Sequence, residues 1–254
     1  MPAIAAVIFD LDDTLYPEWQ YVLGGYRAVC RHLAERSVQA GRFEQFLWDR
    51  FCRSLSAGAP TGLPAAGRQG ERRGQGAFDA LNDRFLLGLD SRQVAQLVVI
   101  YRSHAPDIRP FGSIPQTLGL LHSRYRLGLL SDGYMPAQRL KLEALGLARF
   151  FDAVVFTEEM GREAWKPSPA GFNRIGEMLD APHEACAYVA DNPAKDFIAP
   201  NALGWLTVRY VQPGQVHAAR RGSPTPANQP LEGGQPKATV HLPGELYQTL
   251  VQWR

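Results

Sequence analysis

Residues 5–15 read AAVIFDLDDTL, in which an apolar run is followed at once by three aspartates. The run at 4–9 is short, apolar and partly β-branched, as is typical of a strand buried on both faces of a parallel sheet. Asp10, Asp12 and Asp13 then crowd into four positions, where like charges repel one another. This density of negative charge indicates that a positively charged group binds at the end of the strand.

The region after Pro110 alternates between helix and strand patterns. Segments with helical spacing separate the apolar runs RLGLLSDG, AVVFT, CAYVADN and WLTVRY, and a long irregular Pro/Gly-rich segment at 211–236 precedes a last run, ATVHL. Such βαβ alternation builds a parallel sheet with helices on both faces. We therefore predict an α/β fold with a Rossmann-like parallel sheet, to which the strand at 4–9 also belongs.

Residues 16–108 interrupt this sheet and carry helical patterns alone. Apolar residues recur there at helical spacing, and the last helix follows Ser91, a predicted N-cap. The stretch at 57–76, rich in glycine and arginine, predicts a solvated loop. We therefore predict a discontinuous α/β core domain of residues 1–15 and 109–254, into which an α-helical cap domain of residues 16–108 is inserted.

Size and charge exclude several classes of function. The 254 residues are 45% hydrophobic, and 27 basic against 25 acidic residues leave a net charge of +2. This balance argues against a nucleic-acid partner or an anionic membrane, and no apolar window is long enough for a membrane-spanning helix. We find no export signal, and the three cysteines lack a C-x-x-C pair, which is typical of a reducing compartment. We expect a cytoplasmic protein.

Polar residues recur at corresponding points of the α/β region. Ser131 follows LGLL, Lys166 lies in WKPSP, and Asp191 ends the run AYVAD. Because ligands of open parallel sheets bind outside the carboxyl ends of the strands, we expect these residues to meet Asp10 at one edge.

Aspartates gathered at that edge need a counter-charge. Oxygen ligands from Asp10, Asp12, Asp191 and Asp196 suit Mg²⁺, which is typically bound by one or two carboxylates, waters and a substrate phosphate. A lysine and a hydroxyl nearby would bind phosphate oxygens. The residues therefore predict a site of phosphoryl transfer.

Four segments resemble the four motifs of the haloacid dehalogenase-like hydrolase superfamily in order and spacing. They are DLDDT, the hydroxyl of LLSDG, the lysine of WKPSP, and ADNPAKD. The resemblance covers nearly the whole chain, because residues 16–108 are similar to the helical cap of that superfamily. It implies that Asp10 is the nucleophile that forms an aspartyl-phosphate. It also implies that Asp12 is the general acid for the leaving alcohol and then the base that activates water.

The same resemblance implies the metal ligands. Mg²⁺ would be held by Asp10, by the backbone carbonyl of Asp12 and by Asp191, with Asp196 either a ligand or a group just behind the ligands. A second interpretation of Asp196 is that it begins a helix, where a carboxylate suits the positive end of the dipole. The superfamily often has glycine where this chain has Ala190, and we expect metal binding to be retained.

The same resemblance also implies the phosphate-binding residues. Ser131 and Lys166 would bind the phosphoryl oxygens, and Thr14 would orient the first loop. The backbone N–H of Asp132 is a further phosphate contact, although its side chain is equally well interpreted as structural.

The carboxylate at position 12 favours a phosphatase over a dehalogenase, because halide leaves without an acid. We predict a Mg²⁺-dependent phosphatase of a small phosphorylated metabolite, either a sugar phosphate or a nucleoside monophosphate. A phosphomutase that uses the same residues and a non-catalytic binding protein are the alternatives. Mutase activity would give an isomer of a hexose 1-phosphate without free phosphate.

Other residues near the motifs have structural interpretations. Asp13 occupies a variable position, where capping of the next turn or solvation is expected rather than catalysis. We expect Trp19 and Tyr26 to be core residues, and Tyr16 and Tyr134 to face the site. The loop arginines are expected to be solvated because no aromatic residue is interleaved with them; they are Arg68, Arg72 and Arg73.

Overall fold

The structure, a computed structural model, describes residues 3–34, 39–56, 76–216 and 229–253. The predicted loop at 57–76, with its three arginines, lies outside these residues except for Gly76. The chain divides into two compact units, one of residues Met1–Gln20 and Asp107–Arg254 and the other of Tyr21–Pro106. The domain boundaries predicted from the sequence stay a prediction.

The unit of residues 21–106 is helical. Its aromatic side chains pack on one another, and the rings of Tyr21 and Tyr101 meet edge to face with centroids 5.8 Å apart. Tyr26 is buried as predicted, but Trp19 is 38% exposed. Trp19 lies in the first turn of its helix, ahead of the buried stripe that begins at Tyr21, so its assignment to the core was wrong. The helices are α1 Glu18–Ala34, α2 Ala40–Ser56, α3 Ala77–Phe85 and α4 Ser91–Ser103.

The N-cap of α4 is Asp90, so the prediction of Ser91 as the cap was wrong. The Asp90 carboxylate accepts a hydrogen bond of 2.8 Å from the Gln93 backbone N–H, and the Gln93 side chain accepts one of 3.0 Å from the Asp90 backbone N–H. This reciprocal capping box satisfies two backbone donors of the first turn, which Ser91 inside the helix does not do.

The other unit is built on a sheet of six parallel strands, counted over the described residues, in the order β3-β2-β1-β4-β5-β6. This confirms the predicted α/β fold with a Rossmann-like sheet. The first strand of the chain lies at the centre, between strands that appear much later in the sequence. The strands are β1 Ala6–Phe9, β2 Arg126–Ser131, β3 Ala153–Phe156, β4 Cys186–Ala190, β5 Leu206–Tyr210 and β6 Ala238–Val240.

Helices that connect the strands cover the sheet. Phe172 packs edge to face on Tyr188, with centroids 4.9 Å apart, and on Trp205 at 5.5 Å. A Cβ at Gly128 would lie 2.8 Å from the Ile175 side chain, so a glycine is needed where helix and strand approach. The helices are α5 Ile114–His122, α6 Ala137–Leu145, α7 Ala170–Met178, α8 Ile198–Ala202 and α9 Pro243–Gln252, with 3₁₀ turns at Ala148–Phe150, Thr157–Met160, Arg162–Ala164 and His183–Ala185.

No helix in the described parts of the chain is both long and apolar enough to cross a bilayer. The cytoplasmic location stays a prediction.

The register of the central strands fixes which residues leave the sheet together. Phe9 of β1 lies opposite Leu129 of β2 and Val189 of β4. Because all the strands are parallel, their carboxyl ends form one edge. Asp10 therefore leaves the sheet one residue before the level of Ser131 and Asp191 on the neighbouring strands.

Candidate active site

Lys166 joins two of the predicted acidic residues. Its ammonium Nζ donates to Asp10 Oδ1 at 2.6 Å and to the Tyr188 hydroxyl at 2.9 Å, and it lies 2.8 Å from Asp196 Oδ1. All of these side chains are buried. Residues 10, 166 and 196 therefore form one buried charged group in which a single cation faces two carboxylates.

Burial and the charges of neighbouring side chains shift the pKa values of this group in opposite directions. Burial raises the pKa of Asp10 to about 6, although Lys166 acts to lower it. The pKa of Lys166 lies well above its ordinary value, because Asp10 and Asp196 outweigh the effect of burial. Lys166 is therefore an ammonium at neutral pH, and it stabilises the charged form of Asp10.

The acidic cluster can hold a hard cation. Oxygen atoms of Asp10, Asp191 and Asp196 all lie within 4.8 Å of one another. Within the described residues, the buried Asp191 Oδ2 has no hydrogen-bond partner. The pKa of Asp191 is raised well above its usual range by burial and by the neighbouring aspartates. Three carboxylates, one of them with an orphaned oxygen, fit the oxygen donors that Mg²⁺ prefers.

Asp12 lies in a separate group of contacts. Lys141 Nζ donates to Asp12 Oδ1 at 2.8 Å and to Oδ2 at 2.9 Å, and Gln138 Nε2 donates to Oδ2 at 3.0 Å. The Tyr16 hydroxyl also donates to Oδ1. Burial acts to raise the pKa of Asp12, but Lys141 and these hydrogen bonds together bring it below its ordinary value.

Asp132 ties the second and third motifs together. Its Oδ1 accepts a bond of 2.8 Å from the Thr157 hydroxyl, and its Oδ2 accepts one of 3.1 Å from the Lys166 backbone N–H. The Ser131 hydroxyl donates to the Asp132 carbonyl at 3.3 Å. The Asp132 side chain is therefore structural, and the phosphate contacts of Ser131 and of the Asp132 backbone stay predictions.

Asp13 caps the segment that follows it. Its carboxylate accepts hydrogen bonds from the backbone N–H groups of Glu18 at 2.8 Å and Val216 at 2.6 Å. Its φ of +54° lies in the left-handed region, which Asp tolerates better than most residues. Asp13 is buried, so solvation was the wrong alternative and capping was the right one.

Thr14 holds the first loop from two sides. Its hydroxyl lies 3.5 Å from Asp191 Oδ1, and its carbonyl accepts a bond of 3.0 Å from Gln212 Nε2. Arg209 Nε donates to the Asp191 carbonyl at 3.1 Å. These contacts link the first motif to the fourth, and the role of Thr14 in orienting the first loop stays a prediction.

Asp196 does not begin a helix, so that interpretation was wrong. The cap position of α8 is Phe197, and no side chain caps it. Asp196 Oδ2 instead accepts a bond of 3.1 Å from the Asn192 backbone N–H, while its Oδ1 faces Lys166. The contact with Lys166 holds the carboxylate inside the site.

Tyr134 packs beside the third motif, where its ring centroid lies 5.3 Å from that of Trp165.

A sequence profile described as haloacid dehalogenase-like hydrolase matches residues 4–204. The chain belongs to the haloacid dehalogenase-like hydrolase family. The match begins before the strand that precedes Asp10 and ends after the segment that carries Asp196, so it includes the residues of all four motifs.

Several named proteins are similar to this chain over most of their length. The chain is 30% identical to glyceraldehyde 3-phosphate phosphatase of Methanopyrus kandleri over 81% of this chain and 83% of that protein. It is 26% identical to ribulose-1,5-bisphosphate 5-phosphatase of Halopiger xanaduensis over 81% of this chain and 84% of that protein. The crystal structure of 2-haloacid dehalogenase from Pseudomonas syringae pv. Tomato DC3000 shares the fold, with a TM-score of 0.62 and 24% sequence identity. The superposition covers 99% of this chain and 100% of that chain.

Three residues of this hydrolase site were not predicted from the sequence. Lys141 and Gln138 hold Asp12, and Tyr188 holds Lys166. Gln138 and Lys141 share the buried face of α6 with Ala137, Leu142 and Leu145. Two polar residues on an apolar helix face were the signal that could have found them.

Ala190, where this hydrolase family often has glycine, is a buried residue of β4. Its backbone is extended, as in the rest of the strand, so the methyl group introduces no left-handed strain. Retained metal binding at this position stays a prediction.

Proposed function

We propose that this hydrolase is a Mg²⁺-dependent phosphatase that cleaves a small phosphomonoester through an aspartyl-phosphate on Asp10. The observation that carries the proposal is the buried contact between Asp10 and Lys166 beside the orphaned oxygen of Asp191. Asp10, the proposed nucleophile, is next to the fixed cation of Lys166. It is also next to the acidic cluster, where a second cation could bind.

In the first step, an oxygen of Asp10 attacks phosphorus and the bond from phosphorus to the ester oxygen breaks. The leaving oxygen takes a proton from Asp12, which lies two residues further along the loop. The Lys166 ammonium and the Ser131 hydroxyl bind the phosphoryl oxygens. A Mg²⁺ ion held by Asp10, Asp191, Asp196 and the Asp12 carbonyl would neutralise phosphate charge.

In the second step, water attacks phosphorus and the bond from phosphorus to Asp10 breaks. Asp12 takes a proton from the attacking water, which returns Asp12 to its acid form for the next leaving group. Inorganic phosphate is then released, and Asp10 is a free carboxylate again. One side chain therefore serves both proton transfers.

Asp12 supports phosphate-ester cleavage rather than dehalogenation. The fold is shared with a 2-haloacid dehalogenase, so the fold alone does not separate the two reactions. An alkoxide leaving group needs a proton and a halide does not. A carboxylic acid two residues after the nucleophile supplies that proton.

The relatives support a sugar phosphate as the substrate. Two of them are named for glyceraldehyde 3-phosphate and ribulose-1,5-bisphosphate. We propose a small phosphorylated sugar or sugar-like alcohol, and we expect nucleoside monophosphates to be poorer substrates. Release of phosphate from a panel of both classes, with Mg²⁺ present, ranks them.

Asp10→Asn tests the reaction itself. The amide is a poor nucleophile, so we expect phosphate release from p-nitrophenyl phosphate and from the panel to fall to the level without enzyme. Asp79→Asn is the matched control, because Asp79 is an exposed aspartate of α3 and its loss should leave the rate unchanged. Normal turnover by the Asp10→Asn protein would refute the mechanism.

A further inference from the structure

Three donor side chains make four hydrogen-bond contacts with the Asp12 carboxylate. Lys141 Nζ bridges both carboxylate oxygens at 2.8 and 2.9 Å, Gln138 Nε2 donates to Oδ2 at 3.0 Å, and the Tyr16 hydroxyl donates to Oδ1. A carboxylate has about four lone-pair sites, and these four contacts fill them. The arrangement therefore holds the Asp12 side chain at both of its oxygen atoms.

Lys141 is an unusual residue to bury. It is 1% exposed, and an ammonium without a partner would be costly in such surroundings. It extends from the apolar face of α6 and meets both oxygens of one carboxylate. This two-point contact fixes the plane of the carboxylate, which a contact to one oxygen would leave free to turn.

Gln138 is itself held in place. Its Nε2 donates to the Asp132 carbonyl at 2.6 Å as well as to Asp12. The absence of a side chain at Gly133 makes room for it, since a Cβ there would lie 2.0 Å from Nε2. Gln138 therefore connects Asp12 to the loop that begins at Asp132, directly after Ser131.

We propose that Lys141 and Gln138 are positioning residues that hold the Asp12 carboxylate as the base of the second step. The inference rests on the proposed function. In that step the water oxygen bonds to phosphorus, the bond from phosphorus to Asp10 breaks, and the water proton passes to Asp12. Of the three donor side chains, Tyr16 is the one outside this positioning pair, so the water would replace its hydroxyl at Oδ1.

The proposal predicts a loss confined to the second step. With p-nitrophenyl phosphate the leaving group needs no proton, so Asp12 is required only to activate water. In Lys141→Met and Gln138→Met, kcat should fall about 10²-fold, which is the lower range of a general-base contribution. Since the first step is preserved, kcat/KM should stay within about threefold, so KM should fall with kcat.

Accumulated aspartyl-phosphate is the second readout. The variants should show a burst of p-nitrophenol, and acid quenching in the steady state should trap most of the protein with one added phosphoryl group in its mass. Gln138→Met keeps the charges of both Lys141 and Asp12, and it removes a buried Oε1 that has no hydrogen-bond partner within the described residues. It therefore tests the proposal even if Lys141→Met does not fold. Arg139→Met, on the exposed side of the same helix, is the control and should behave as the wild type.

Three results would count against the inference. Equal falls in kcat and kcat/KM, without extra trapped phosphoenzyme, would mean a general structural role and overturn it. Unchanged kcat in Gln138→Met together with Lys141→Met would overturn it as well. A wild-type protein that neither turns over the ester nor forms a phosphoenzyme would overturn the proposed function first, and the inference with it.

Discussion

Replacing Lys166 by methionine should destabilise the core unit, because the lysine is the buried cation between two carboxylates. Methionine keeps a similar length and removes the charge. Asp10 and Asp196, at 2.6 and 2.8 Å from Nζ, then lose their shared counter-ion. Breaking a buried ion pair by removing one partner costs about 3–5 kcal/mol. At about 2–4 °C per kcal/mol for a domain of 150–250 residues, Tm should fall by about 6–20 °C.

The effect should depend on pH in a defined direction. Burial already raises the pKa of Asp10 to about 6 with Lys166 opposing it, and removal of the lysine raises it further. A carboxyl whose pKa is higher in the folded than in the unfolded state loses stability as pH rises through the folded value. The deficit of Lys166→Met against the wild type should therefore be largest near pH 8 and shrink towards pH 5.

Thermal and urea unfolding in EDTA would measure this deficit, followed by circular dichroism at both pH values. Arg174→Met is the control, because Arg174 is an exposed cation paired with Glu177 on one helix, where ion pairs contribute little. A deficit no larger than that of the control, or one that grows as the pH falls, would refute the reasoning.

Two further predictions concern the metal and the first loop. Mg²⁺ needs the ionised forms of Asp10 and Asp191, whose pKa values are raised, so its affinity should fall from pH 8 to pH 6 and its binding should release protons. Calorimetry in two buffers of different ionisation enthalpy checks this, and a heat independent of buffer would contradict it. Asp13→Ala should cost about 2–4 kcal/mol in urea unfolding, because it loses two hydrogen bonds from backbone donors to a charged group at a φ of +54°. Asp13→Asn, which keeps an acceptor and tolerates this φ, should cost less.

Much of the sheet and its edge could be predicted, because the residues that indicate where a strand ends are neighbours in the sequence. The apolar run before Asp10 and the run before Asp191 each indicate a strand and the point where it ends. Parallel topology then brings the two aspartates together without further information. The alternation of helix and strand was therefore enough to predict which motifs meet.

The partners of Asp12 could not be predicted in the same way. A lysine within a helix is usually solvated, and nothing close to Lys141 in the sequence indicates a carboxylate 129 positions away. Its burial depends on how α6 packs, which is a property of the whole unit. The same reason explains why the N-cap of α4 is Asp90 and not Ser91. Either residue type can cap a helix, and tertiary context decides at which residue the helix begins.

The central place of β1 has a consequence for synthesis. Phe9 pairs with Val189, 180 residues further on, and at about 5–20 residues per second the ribosome needs about 10–40 s to make the chain between them. The segment that carries Asp10 thus leaves the ribosome long before either neighbouring strand exists. A nascent or truncated chain that ends before β4 lacks Asp191 and Asp196, so on the proposed mechanism it should release no phosphate.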